Sequence, residues 1–129
     1  MDILRAKRIM IRGLKLRCPA CGEAALYRAP FKMRSQCSFC EFTFQREQGY
    51  FVGAIYVNVI LTESLIFFVY LMSLLLLPAS DQTIYLVLFA MALVLPILFY
   101  HHARSLWLAF DYMVDPPEIS RKASLLWPD

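Results

Sequence analysis

Of 129 residues, 60% are hydrophobic and 18% charged, with a net charge of +3 and four cysteines. Fourteen of the twenty-three charged residues precede Gly49 and most of the long apolar runs follow it, so the chain divides in two. Nothing in it forms a Ser/His/Asp order, a phosphate loop, a carboxylate pair or an open metal site, and the expectation is a protein that is not an enzyme.

Residues 1–17 form a basic amphipathic segment. Between Leu4 and Arg17, six basic residues interleave with Leu, Ile and Met, a pattern suited to anionic lipid at a bilayer surface. A basic flank beside a metal ribbon also suits nucleic acid. No cluster of exposed aromatic and basic residues marks a base-stacking surface, so nucleic acid is not expected as a partner. The plainest reading is a topology signal. Gly13 argues against one continuous helix here.

Residues 18–49 use every cysteine, in Cys18-Pro-Ala-Cys21-Gly22 and Cys37-Ser-Phe-Cys40. Each Cys-x-x-Cys turn sets two sulfurs on one side of a tight knuckle, and two knuckles supply the four thiolates of a closed tetrahedral site. The expectation is a zinc ribbon with structural Zn2+ held by Cys18, Cys21, Cys37 and Cys40. Gly22 can take the left-handed conformation needed on leaving the first knuckle, whereas the second carries Glu41 at that place. Redox cycling of either pair is the competing reading, but that motif normally sits in a βαβ unit, and Glu23 to Gln36 is too short for one. Ala25-Leu26-Tyr27 and Phe31-Lys32-Met33 suit two short strands instead. Phe39, Phe42 and Phe44 alternate around the second knuckle as a small core, and metal binding is expected to supply most of the folding energy.

Residues 50–77 form the first expected transmembrane helix. Fifteen of the twenty-four residues from Ala54 to Leu77 are Leu, Ile, Val or Phe. At roughly −0.3 to −0.6 kcal/mol each, they outweigh the roughly +3 kcal/mol for one carboxylate, Glu63. Residues 78–82 make a short polar extracytoplasmic loop, and residues 83–114 a second transmembrane helix with a cytoplasmic extension. Its uncharged run from Ile84 to Tyr100 reaches spanning length with the flanking residues, and Pro96 should bend it without ending it. So short a loop makes the helices antiparallel. The expected fold class is therefore a small β zinc ribbon followed by an α-helical transmembrane hairpin.

Ten Lys or Arg against four acids in residues 1–49, facing a loop with Asp81 as its one charge, place both termini in the cytoplasm. Reduced thiols in the cytosol agree with this. No cleavable signal peptide is expected, and the first apolar run would serve as an uncleaved anchor.

Gly49, Tyr56, Glu63 and Tyr70 recur every seven residues and would share a helical stripe, with Gly53 completing a Gly-x-x-x-Gly for close helix approach. These five are the candidate partner-binding residues. Counting from the cytoplasmic side puts Glu63 near mid-membrane, where the second span offers only Met91 to Leu95. Glu63 is then protonated, or satisfied by another protein, a lipid or a cofactor. A helix contact fits better than proton transfer, because neither span carries a second carboxylate. Asn58 and Thr62 form a separate i, i+4 polar pair that can bond between helices or within its own. His101, His102, Arg104, Trp107 and Tyr112 read as interface anchors, since consecutive histidines on a helix point about 100° apart and do not readily share one ion. The helix should stop near Met113, before Asp115-Pro116-Pro117. Residues 115–129 form a cytoplasmic tail whose Leu125-Leu126-Trp127 tip can dock or touch lipid.

Cys18-Pro-Ala-Cys21-Gly22, the second Cys-x-x-Cys, the run from Arg46 to Ala54 and Arg104-Ser-Leu-Trp-Leu-Ala-Phe-Asp111 resemble the bacterial membrane proteins grouped as domain of unknown function 983. The resemblance covers roughly residues 14 to 118, and Glu41 departs from the Cys-x-x-Cys-Gly form of that family. It implies a two-span protein with a cytoplasmic zinc ribbon and a role with respiratory complexes related to the haem-copper oxidases. The functional expectation is an accessory or assembly subunit of a larger integral membrane protein complex. The alternatives are a membrane-tethered metal or redox sensor or metallochaperone, and, behind them, a nucleic-acid tether.

Overall fold

The computed structural model of the chain describes residues 2–45, 47–78 and 80–116. Helix α1 spans Ile3–Leu14, strands β1 and β2 span Tyr27–Ala29 and Lys32–Met33, and helices α2 and α3 span Val52–Leu76 and Asp81–Val114. The sheet is one antiparallel pair, with Tyr27 opposite Met33 and Ala29 opposite Lys32. Isolated bridges join Arg17 to Ala25 and Gln36 to Thr43. The hairpin thus lies about two residues beyond the expected first strand, because Ala25 is taken by Arg17 in the approach to the first knuckle. Phe31 turns the hairpin at φ +64°, instead of opening β2.

Helices α2 and α3 pack against each other and are long and apolar enough to cross a membrane. At 1.5 Å per residue, α3 is about 51 Å long, well beyond a hydrocarbon core of about 30 Å. Its buried residues lie at one end: Ala103, Ser105, Leu108, Ala109 and Tyr112. That end is the platform for the rest of the chain. Pro96 sits inside α3 without ending it.

α1 is one helix that runs through Gly13, contrary to the sequence expectation. A Cβ on Gly13 would stand 3.0 Å from the Ala109 Cβ, and Ser105 Oγ donates to the Gly13 carbonyl at 2.6 Å. The lost helix propensity of glycine, about 1 kcal/mol against alanine, is offset by this close approach to α3. Ile9, one turn earlier, joins a core shared with Leu26, Phe42, Phe44, Leu108, Ala109 and Tyr112.

That core revises the view of the ribbon as a nearly coreless module. Leu26, Phe44 and Leu108 are among the largest fully buried side chains, and each contributes about 1.5–3 kcal/mol by burial. A structural zinc, at about 10–16 kcal/mol, would contribute more than any one of them, but the module does not depend on it alone. Phe42 packs edge-on to Phe44 and to Tyr112 of α3. Phe39, also expected inside, is 65% exposed. Its N–H reaches the Cys37 Sγ within the knuckle, so it sits on the turn, out of phase with the alternating Phe42 and Phe44.

The connection into α2 is tied to α3 from both sides. Tyr50 donates its hydroxyl to Asp111 at 2.8 Å, and the Trp107 indole N–H donates to the Tyr50 carbonyl at 2.9 Å. The Trp107 ring occupies the space a Cβ on Gly53 would need.

Candidate metal centre and the polar groove of the hairpin

The two knuckles repeat one backbone arrangement. Gly22 N–H donates to the Cys18 carbonyl and Glu41 N–H to the Cys37 carbonyl, four residues back in each case. The Cys18 and Cys37 N–H groups donate forward, to Ala24 and Phe42. Gly22 stands at φ +76° and Glu41 at φ +59°. Glu41 therefore adopts the left-handed conformation that the first knuckle assigns to glycine.

These turns bring four Sγ atoms within 4.8 Å of one another. Cys18 lies 3.8 Å from Cys40 and Cys21 lies 3.6 Å from Cys37. A tetrahedral site with metal–sulfur distances of about 2.3 Å has sulfur–sulfur edges of about 3.8 Å, so the donor set fits one ion, zinc being typical. Cys18 and Cys37 are buried, and Cys21 and Cys40 partly so. Burial pushes the Cys18 thiol well above its ordinary value, with the neighbouring Cys21 and Cys40 sulfurs adding to the effect. Burial likewise pushes Cys40 up to about 11. At Cys37, burial is outweighed by hydrogen bonds from the Cys40 and Phe39 backbone and from the neighbouring thiols, and the group is lowered. The hydrogen bonds at Cys37 thus favour its charged form, while burial at Cys18 and Cys40 opposes it.

The centre is fastened to α1 and to α3. Arg12 of α1 donates to the Pro19 and Ala20 carbonyls inside the first knuckle, at 3.3 and 3.0 Å. The β1–β2 hairpin lies on α3, where the Tyr27 ring stands 4.4 Å from that of His101 and the Tyr27 hydroxyl donates to the His101 carbonyl. Burial pushes the Tyr27 phenol up to about 12. Phe31 rests on Tyr100 and His101. His101 is therefore an aromatic docking residue, and among the described residues the metal-capable cluster consists of the four cysteines.

A groove of about 630 Å3 runs between α2 and α3, and Asn58, Thr62, Glu63, Tyr100 and Arg104 are among its polar lining. Asn58 donates its amide to the Pro96 carbonyl at 2.9 Å, and Thr62 donates to Asn58 at 3.4 Å. The pair thus bonds both across the helices and within α2. Arg104 stacks over Phe51 at 4.0 Å and donates to the Tyr100 hydroxyl. Glu63 is exposed and, among the described residues, meets no hydrogen-bond or ion-pair partner.

The structure separates the five residues of the expected stripe. Gly49 lies in the turn before α2 at φ +78°, so it is not on the helix and does not form a Gly-x-x-x-Gly with Gly53. Gly53 is covered from within the chain by Trp107. Tyr56 is 68% exposed and outside the groove, Glu63 is exposed at the groove, and Tyr70 is partly buried. Residues 117–129, including Leu125-Leu126-Trp127, lie outside the described residues. Sequence reasoning missed Arg12, Gly13 and Tyr50 as the ties between the parts; the i, i+4 placement of Ile9 and Gly13 was the available signal.

Fold and site together define a four-cysteine module able to hold a metal ion, mounted on a two-helix hairpin of membrane-spanning length. The family described as protein of unknown function (DUF983) matches residues 27–112, two thirds of the chain, and the chain belongs to that family. The matched stretch begins after the first knuckle and is narrower than the sequence resemblance suggested. No curated protein and no solved structure matches the chain.

Proposed function

We propose that this protein is a non-catalytic accessory or assembly subunit of a larger integral membrane complex. The hairpin spans a bacterial inner membrane with both termini in the cytoplasm, and a structural zinc ribbon stands on the cytoplasmic face. The observation that carries the reading is Glu63, exposed on α2 in a groove lined with Asn58 and Thr62 and without a partner among the described residues. A carboxylate at that depth costs about 3 kcal/mol on insertion, and a donor or cation on a neighbouring helix offsets the cost. The exposed Tyr56, Phe67 and Phe68 extend the same helix as a contact surface.

The orientation rests on the excess of Lys and Arg before α2, and the choice of zinc on four thiolates in a reducing compartment. The family resemblance extends the proposal to respiratory complexes of the haem-copper oxidase type. Extraction of the native membrane in mild detergent, native-gel separation and mass spectrometry test the reading. The chain is expected to co-migrate with a large integral complex and to lose that association in Glu63→Leu while keeping its metal. Migration alone, with metal retained, would overturn it and move the weight to a freestanding metal sensor.

A further inference from the structure

Between α1 and the first knuckle lies a second concavity, of about 540 Å3, with Lys7, Arg8, Arg12, Lys15 and Arg17 on its walls and no Asp or Glu among its lining residues. Lys7, Lys15 and Arg17 bring three of these charges to one small space, and a multiply charged anion offsets their mutual repulsion. Topology signalling requires only that basic residues precede a span. It does not require them to converge on one cleft, and here they converge because Arg12 is pinned to the Pro19 and Ala20 carbonyls and Arg17 reaches the Gly22 carbonyl. Gly22 itself forms part of the wall, where an added Cβ would come within 2.6 Å of the Arg12 Nε. One side of the cleft is therefore the metal knuckle.

Two further features select the kind of anion. Leu4 and Ile11 also line the cleft, and Ile3 and Leu14 are exposed beside it, so apolar and basic groups alternate on this surface of α1. No aromatic side chain lines it, which leaves a nucleobase nothing to stack on. The depth also fits. Gly13 and its carbonyl are held by Ser105, two residues before Trp107, and Trp107 covers Gly53 where α2 begins. The C-terminal end of α1, with Lys15 and Arg17 beyond it, thus lies level with the start of α2 and the C-terminal third of α3.

We propose that this cleft is a phosphate site for the headgroup of an anionic phospholipid, with Leu4, Ile11 and Leu14 against the acyl region, and that it is complete only while the first knuckle is folded around its metal. The inference rests on the membrane reading of the hairpin but not on the partner complex, so native-gel migration and lipid retention report on separate proposals. A basic pocket of this kind holds one or two phosphates more tightly than a flat basic surface does, because its charges are already gathered.

The test uses the full-length, metal-loaded protein in mild neutral detergent, with native mass spectrometry of retained lipid after titration with phosphatidylglycerol, cardiolipin or phosphatidylcholine. Phosphatidylglycerol or cardiolipin is expected to be retained and phosphatidylcholine not. Each cation near the headgroup contributes about fivefold in affinity, so Lys7→Gln/Lys15→Gln/Arg17→Gln should weaken retention by about 100-fold. A charge-matched control outside the cleft, Arg5→Gln/Lys32→Gln/Arg34→Gln, should leave it within a few-fold. Stripping the metal should abolish retention while circular dichroism still reports the long helices. Equal loss in both triple variants, or equal retention of phosphatidylcholine, would overturn the cleft. Displacement of the lipid by equimolar inorganic diphosphate would overturn the bilayer assignment in favour of a soluble phosphorylated ligand. Tighter capture of an RNA oligonucleotide than of phosphatidylglycerol would overturn it in favour of nucleic acid.

Discussion

Replacing Glu41 by glycine should strengthen the metal centre, although it removes a charged side chain from beside it. The two knuckles share the i+4 to i hydrogen bond that closes each turn, 2.9 Å at Gly22 and 3.1 Å at Glu41, and both closing residues have positive φ. A residue with a Cβ is disfavoured there by about 1–2 kcal/mol. Glycine relieves that cost but gives back about 0.5–1 kcal/mol through the greater freedom of the unfolded chain. Glu41 is exposed and contributes no hydrogen bond from its carboxylate among the described residues, so little else is lost. The net gain is about 0.5–1 kcal/mol. Because metal binding and knuckle folding are coupled, Glu41→Gly should tighten apparent zinc affinity about two- to fivefold in a competition titration with a chromophoric chelator. Gly22→Ala is the reciprocal experiment. It places a Cβ at φ +76° and against Arg12, whose two hydrogen bonds to the first knuckle would be disturbed. The expected loss is roughly 2 kcal/mol, about thirtyfold in affinity. If Glu41→Gly weakened binding, or if both variants moved it in the same direction, the equivalence of the two knuckles would be wrong.

Gly53→Ala should loosen the junction of α2 with α3 by about 1–3 kcal/mol, because the Trp107 ring is held by its bond to the Tyr50 carbonyl and cannot move aside freely. Trp107 fluorescence and the thermal midpoint of the detergent-solubilised protein measure it, and an unchanged midpoint would refute the packing argument. Metal affinity should rise with pH between 6 and 8. Cys18 and Cys40, raised by burial, must shed protons as the metal enters, and apparent affinity gains up to about tenfold per pH unit for each proton released. A flat profile in isothermal titration across that range would refute ligation by all four thiolates.

Local features of the chain carried much of this architecture. The two Cys-x-x-Cys pairs announced the four-cysteine cluster, because a site able to hold a metal in this way is built from two turns whose internal spacing is fixed by backbone geometry. The apolar runs named both long helices, because spanning length is a matter of counting. The first strand of the hairpin lies about two residues later than expected, since Ala25 carries no sign that Arg17 would claim it, while Lys32 and Met33 stand where the second was expected. Glycine was the least legible residue. Gly13 resembled a helix breaker and is a contact point; Gly49 resembled one half of a helix-packing motif and is a turn residue.

Whatever depends on neighbours along the chain could be read before any fold was in view: the pairing of the cysteines in two turns, the length of the apolar helices, the short loop that makes them antiparallel, and the excess of basic residues at one end. Packing was needed to establish that the metal module, α1 and the far end of α3 share one core, that Trp107 fills the space over Gly53, and that five cations surround one cleft. The physical reason is that such contacts join residues as much as 92 positions apart, as Gly13 and Ser105 are. Whether a glycine breaks a helix or admits a neighbour depends on what arrives from that distance, and no local pattern encodes the arrival.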